Sequence, residues 1–574
     1  MASPYYNASS SSSPPVVQGT LVQNGPARIY DHRHANHGVG AMETDIPNRS
    51  PLSEGPNDAR GEGNWTKGEA QPRRCNDVAF AALFYAHLGV MAWVAAAYAP
   101  RMYSEVAEGA RDAAAGGERD LAEGDGTGSA EGRGRLVAWT AEGVRRLLSA
   151  AALSSSGGDR SRGGRDLQDE SNYGTNDIGD MMLLLGISAL IALVISTAAL
   201  SVMISHAQFL IKFALLFNIA ATLVFALGSL ALSPFAALMG IGMFALTIYY
   251  AYVVWGRIPF AACNLETATT AVRSNLGLAF FAYSSLFVLV GWSAWWMVSF
   301  VSAMYVVGGC DGQANCANDP SGFLVFAMLL SYYWTFQVVQ NVVHVTVAGA
   351  VGTWWFVPTE GSSCCSNGVR DSFIRSVTTS FGSICLGSLL VAIIETSKQM
   401  VKSLRESEDG GGIFLCIAEC LLACLQDLVE YFNKWAFVFV GLYGYTFIEA
   451  GKNVINLFKT RGWTTIITDS LAQSVLSMLS VAVGLITGLV TLAIAHVEGM
   501  VFGDELGASA AAFFIGFIIG MVLTSTLMTL VSSAVNTVIV CYAEAPAEFQ
   551  QNHPKLSEDM RATWRQAWPA EFYY

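Results

Sequence analysis

Charged residues in this chain are bunched, and the stretches between the bunches are long. Runs free of Asp, Glu, Lys and Arg cover 78–100, 181–211, 213–256, 274–310, 320–359, 376–394, 470–497 and 506–543. A helix needs about 20 apolar residues to cross the hydrocarbon core of a bilayer. Run 213–256 is too long for one crossing. Pro234 marks a turn within it, since proline ends a helix and the residue before it avoids α geometry. Segment 435–448 is shorter, but Lys434 and Lys452 at its ends can snorkel to the interface. The pattern predicts ten crossings: 78–99, 182–204, 208–232, 236–255, 276–306, 322–356, 374–395, 432–451, 474–496 and 509–541. Runs this long, rich in Gly, Ala and aromatic residues, read as helices, because barrel strands would be about 10 residues with strict alternation. The expected fold is all-α: a polytopic membrane protein with about ten transmembrane helices in one bundle.

Around these crossings the chain divides into five parts. Residues 1–74 are rich in Ser, Pro, Asn and Gly. They lack the apolar core of a signal peptide and are expected to form a disordered cytoplasmic tail. Residues 75–99 carry the first transmembrane helix. Residues 100–180 form a large extracellular or lumenal loop with 10 Arg and 15 Asp or Glu. Within it, 135–153 places Leu136, Val144, Leu147, Leu148 and Ala151 on one face, opposite Arg145 and Arg146, which predicts a short amphipathic helix. Residues 181–545 hold the other nine helices, and 546–574 form a cytoplasmic C-terminal tail.

Orientation follows from Lys and Arg in the short loops. Lys67, Arg73 and Arg74 precede the first crossing and place the N-terminus inside. Loops 256–275, 357–373 and 452–473 carry basic residues and fall inside; loops 307–321 and 497–508 carry none and fall outside. Segment 396–412 should be outside, yet holds Lys398, Lys402 and Arg405. Either the rule fails there, or 374–395 and 432–451 are re-entrant or broken elements.

Composition narrows the function. Of the 574 residues 53% are hydrophobic and 13% charged, about half the charged share of soluble domains. Together with a net charge of −13, this removes nucleic acid as a partner and leaves the lipid bilayer. No phosphate-binding loop, zinc-protease, nucleophile-elbow or kinase signature occurs. We therefore expect no enzyme activity and no cofactor. Eleven Cys are scattered along the chain. Cys310 and Cys316, close together in an outer loop, are expected either to form a disulfide or to stay free thiols in a Gly-rich turn. Cys416, Cys420 and Cys424 share a helical stripe but lack a fourth ligand for zinc. They read as packing or acylated thiols, and no metal site is expected.

Polar groups inside a bilayer are costly unless they face protein or water, so they are the candidate site. In the crossing 322–356, Tyr333, Gln337, Gln340, Asn341 and His344 lie on one face, bordered by Trp334. This stripe suits a polar pathway, or else hydrogen-bonded glue between helices. Trp292, Trp295 and Trp296 form either an interfacial belt or an aromatic surface for a quaternary ammonium group, an attraction worth about 0.5–2 kcal/mol. Tyr443, Tyr445 and Glu449 surround Gly441 and Gly444. Glu449 is a counter-charge for a cation or a surface partner of Lys452.

Four runs are familiar together. TFQVVQNVVHVTVAGAVGTWWF, 335–356, resembles the signature helix of the choline transporter-like family. SFGSICLGSLLVAIIE at 380–395, FNKWAFVFVGLYGYTF at 432–447 and VSSAVNTVIVCYAE at 531–544 resemble later parts of the same family pattern. The likeness covers roughly 180–545, and the N-terminal tail and loop are similar to the branch found in fungi and protists. It implies a ten-helix facilitative carrier of choline or a related organic cation, driven by gradient and membrane potential. Both termini would lie in the cytoplasm, with the plasma membrane expected first and an organelle membrane second. Under this reading Tyr333, Trp334 and one of Trp292, Trp295 or Trp296 form an aromatic cage. Gln337 and Asn341 bind a substrate hydroxyl, with His344 on the same face, and Glu449 beside Tyr443 supplies the counter-charge. The alternatives are a channel or carrier for another small solute, and a non-transporting membrane scaffold.

Overall fold

The computed structural model describes residues 74–120, 166–231, 233–309, 321–359, 366–407, 413–497 and 505–567, all within one compact unit, Leu52–Tyr574. Every regular element among them is helical. In chain order they are α1 (Val78–Asp120), α2 (Asp166–Ser229), α3 (Pro234–Val254), α4 (Ile258–Ser274), α5 (Gly277–Val307), α6 (Gly322–Phe356), α7 (Asn367–Val377), α8 (Phe381–Ser407), α9 (Ile413–Tyr443), α10 (Phe447–Val497), α11 (Glu505–Glu544), α12 (Pro546–Asn552) and α13 (Pro554–Ala567). The tail 1–73, the amphipathic segment 135–153 and the pair Cys310 and Cys316 lie outside the described residues.

Helix starts follow local chemistry. Ser233 Oγ accepts from Ala236 N at 3.1 Å with Pro234 at the first helical position; Ser321 and Ser366 cap α6 and α7 in the same way. Eight helical stretches are long and apolar enough to cross a membrane, and outward-facing rings such as Phe235, Tyr252 and Phe287 are largely exposed. This is an integral membrane protein.

Crossings 182–204 and 208–232 are two helices that run together as α2: the apolar part Leu184–Ser229 has 46 residues, about 69 Å at 1.5 Å per residue or some two bilayer cores, and the non-helical His206 kinks it at the expected boundary. The structure departs from the expected crossings at other points. Loop 256–275 is instead the helix α4, with twelve of its side chains buried, Asn264 and Thr267 among them. Segment 374–395 is broken at Thr378–Ser380, between α7 and α8, and 432–451 is broken at Gly444–Thr446, between α9 and α10. Segment 452–473 then continues helically into the next crossing as α10.

One junction ties these breaks together. Asp77 takes a left-handed conformation (φ 50°) just ahead of α1, a region that Asp tolerates better than most residues. Its carboxylate accepts from Ser383 Oγ (2.6 Å) in the first turn of α8 and from Phe447 N (3.0 Å) at the start of α10. The Asn76 side-chain amide donates to the Gly444 carbonyl at 2.7 Å, and its backbone N–H donates to the Thr379 carbonyl at 2.9 Å. A carboxylate between two helix N-termini complements both dipoles. Gly382 makes room for the approach, since a Cβ there would sit 2.3 Å from the Asn76 carbonyl oxygen.

Behind the junction, α10 and α11 pack through small residues. A Cβ at Gly516 or Gly520 would strike Thr491 or Thr487, the close approach that holds helices together in lipid. Ser188 and Ser196 of α2 bond Thr491 (2.9 Å) and Thr524 (2.7 Å) across this pair. The C-terminal helices fold back. Phe549 stacks on Trp355 at 3.8 Å, His553 stacks on Trp354 at 4.0 Å, and Asn552 donates to the carbonyls of Trp355 and Phe356 at the end of α6.

Candidate functional site

Helix α6 sits among α5, α7, α8, α9 and α11, so most of its polar stripe faces protein, with Gln340 exposed. Two members bond neighbouring helices. The His344 ring bonds Ser533 Oγ (2.6 Å) through Nδ1 and the Lys434 carbonyl (2.9 Å) through Nε2. Asn341 donates to Ser388 Oγ at 3.0 Å. Gln337, half-buried one turn earlier, has no hydrogen-bond partner among the described residues. Tyr333, a further turn back, lies beside Gln399 and in the field of Glu395.

The aromatic candidates separate by role. Trp334 is buried, donates to the Cys385 carbonyl at 3.0 Å, and stacks on His87 of α1 at 4.8 Å. Trp292 lies 6.5 Å from the same imidazole and 5.2 Å from Trp295. Its indole N–H is buried without a partner among the described residues. Trp296 donates to the Met328 carbonyl at 2.9 Å and stacks on Phe300. Trp295 is 37% exposed and faces outward. His87, absent from the sequence-predicted set, therefore joins α5 to α6; the only signal for it was an imidazole inside an apolar run.

The remaining pair stands elsewhere. Leu442, next to Tyr443, packs on Gly352, about 28 Å along α6 from Tyr333 at 1.5 Å per residue. Tyr443 is buried and donates to the Glu544 carboxylate at the end of α11. Glu449 Oε2 accepts from Thr446 N (3.1 Å) and Oγ1 (2.9 Å), while Thr446 Oγ1 accepts from Glu449 N (3.3 Å). This is a reciprocal capping box at the start of α10. The structure thus brings Tyr333, Trp334, Gln337 and Trp292 toward one level and sets Tyr443 and Glu449 at another.

Sequence reasoning missed a charged seam near Tyr333. Lys398 Nζ lies 2.7 Å from Glu395 Oε2 and donates to Gln426 Oε1 at 2.5 Å. Gln426 Nε2 donates to Glu430 Oε1 at 2.7 Å, and Gln399 Nε2 to Glu395 Oε1 at 3.1 Å. These groups come from α8 and α9, which both pack on α6. One signal was legible: Glu395 and Lys398 are spaced i, i+3 at the end of an apolar run. Their partners on α9 lie about 30 residues away and were not.

The bundle and its broken helices define a polytopic helical membrane protein. A family model described as plasma-membrane choline transporter matches residues 238–547, more than half of the chain. The chain belongs to the choline transporter-like family. Protein PNS1 of Yarrowia lipolytica is 32% identical over 247 residues, 41% of this chain and 43% of that protein. Protein PNS1 of Gibberella zeae is 27% identical over 333 residues, 55% of this chain and 61% of the relative. A CTL-like protein of Dictyostelium discoideum is 29% identical over 329 residues, 55% and 57% of the two chains. The chain spans about half the length of these curated relatives.

Proposed function

We propose that the protein carries choline or a related organic cation across a membrane, most simply the plasma membrane, with both termini in the cytoplasm. The passage runs along α6 between α8 and α9. Gln337 is the observation that carries this reading: a half-buried amide inside a spanning helix, with no hydrogen-bond partner among the described residues. Idle amides there are costly unless a polar solute or water meets them. Tyr333 and Trp334, with Trp292 beyond His87, supply ring faces for a quaternary ammonium group. Asn341 and His344, already bonded to neighbours, frame the deeper wall. Broken elements at Thr378–Ser380 and Gly444–Thr446 support a carrier, because irregular backbone at membrane depth belongs beside a cavity or in buried protein. A membrane potential contributes about 2.3 kcal/mol per charge per 100 mV, enough to drive the cation without ATP.

Labelled choline uptake into proteoliposomes tests the reading. Saturable uptake is expected, reduced at least tenfold by Trp334→Ala in protein whose thermal unfolding remains cooperative. Uptake no greater than in protein-free liposomes would remove choline as the substrate.

A further inference from the structure

We propose that Glu395, Lys398 and Glu430 form the cation-recognition site of the passage, with the Lys398 ammonium standing in for the transported quaternary ammonium when the site is empty. The proposal rests on the carrier reading above and deepens it.

Glu395 and Lys398 stand in the last turns of the candidate span Phe381–Arg405, just past its charge-free part, at the level where Met400 lies beside Gly322 at the start of α6. Their side chains are only 14% and 24% exposed. Packing does not require them, since well-fitted apolar residues commonly replace buried ion pairs at no loss of stability. Other ion pairs between the neighbouring helices are balanced. Lys434 meets Asp469 at 2.6 Å, and Arg405 meets Glu419 at 2.8 Å. The set around Lys398 is not balanced: the ammonium pairs with Glu395, and the Gln426 amide that it also bonds holds a second carboxylate, Glu430. Glu430 has only the neutral Gln426 amide as a hydrogen-bond partner among the described residues. Lys402 and Asp427 nearby in sequence are exposed and outside the set.

A second observation specifies the ligand. Glu395 Oε2 is shut off from solvent and has the Lys398 ammonium at 2.7 Å as its partner. The attraction in that pair is between charges, and a cation without N–H groups can take over that part of it. Tyr333 borders Glu395 and supplies a ring face for the same cation, and Gln337 stands one helical turn further along. On entry the ligand takes the place of Lys398 at Glu395. The ammonium, already bonded to Gln426, moves toward Glu430, which the same amide holds. When the ligand leaves, Lys398 returns and the empty site is not left with two bare carboxylates.

Equilibrium binding and uptake of radiolabelled choline by the full chain, with thermal unfolding measured alongside, test this. Glu395→Gln should weaken binding at least tenfold. Lys398→Gln should tighten binding several-fold, because the tethered competitor is gone, yet slow uptake. The double variant E395Q/K398Q, with neither charge of the pair, should fold and fail to bind, which separates recognition from stability. A purely structural ion pair would not tighten binding when Lys398 is neutralised. If wild type takes up choline and the variants bind like wild type, or Lys398→Gln weakens binding, the recognition site is wrong and the carrier reading stands. If wild type neither binds nor transports choline, both fall.

Discussion

Polar side chains in the apolar slab fall into two classes, and a mutation should behave according to its class. His344 uses both ring nitrogens, so His344→Leu removes two interhelical hydrogen bonds, to Ser533 and to the Lys434 carbonyl. A loss of about 1–3 kcal/mol in stability is expected, read as a lower unfolding temperature. Gln337 strands nothing, so Gln337→Leu should leave that temperature within about 1 °C, since substitutions away from engaged groups stay near neutral, while uptake falls severalfold. Equal effects on stability from the two variants would contradict the division. Outside the membrane, burial pushes the His553 imidazole below its ordinary value. The undocked ring therefore binds a proton more tightly than the docked one. Docking of α12 and α13 is full above the unfolded value of about 6.5 and weakens as pH falls through it. Amide exchange across 546–567, corrected for the intrinsic pH dependence, should rise between pH 7 and 5 in wild type. In His553→Gln it should be flat.

At the scale of elements, the helix breaks hide inside apolar runs. Counting charges finds where a helix can cross; it does not find where the chain stops being helical on the way. Gly444 turns the chain with φ 66°, a conformation that costs an L-residue about 1–2 kcal/mol. Gly444→Ala should destabilise by that amount. Asp77→Ala should cost about 1.5–3 kcal/mol, the range for hydrogen bonds to a charged group, and should loosen α1, α8 and α10 together, because one carboxylate serves two helix starts. Exchange protection lost only in α1 would argue against the shared junction. From the misplaced Lys398, Lys402 and Arg405 the sequence pattern offered a re-entrant or broken element around 374–395 and 432–451 as one of two readings, the other being a local failure of the charge rule. The pattern missed α4, whose 17 residues are too short to register as a span, while its division of α2 falls at the kink at His206.

For the whole molecule, the helical membrane class was legible because bilayer thickness fixes run length, and that constraint acts on a single segment. The site was legible only in its α6 part, where one helix face carries Tyr333, Gln337, Asn341 and His344. Glu395, Lys398, Gln426 and Glu430 meet across α8 and α9, and no periodicity links residues on different helices. Glu449 is a different case: read as a counter-charge or a partner of Lys452, it also closes a capping box with Thr446, and that spacing of three within one segment was legible. The central claim is that a single positive charge crosses with each substrate molecule. Steady-state accumulation of labelled choline in proteoliposomes, clamped at potassium-diffusion potentials from 0 to −100 mV, measures this directly. About 2.3 kcal/mol per 100 mV predicts an inside-to-outside ratio that climbs to roughly 50-fold at −100 mV. A ratio that stays near one at every potential would contradict the account.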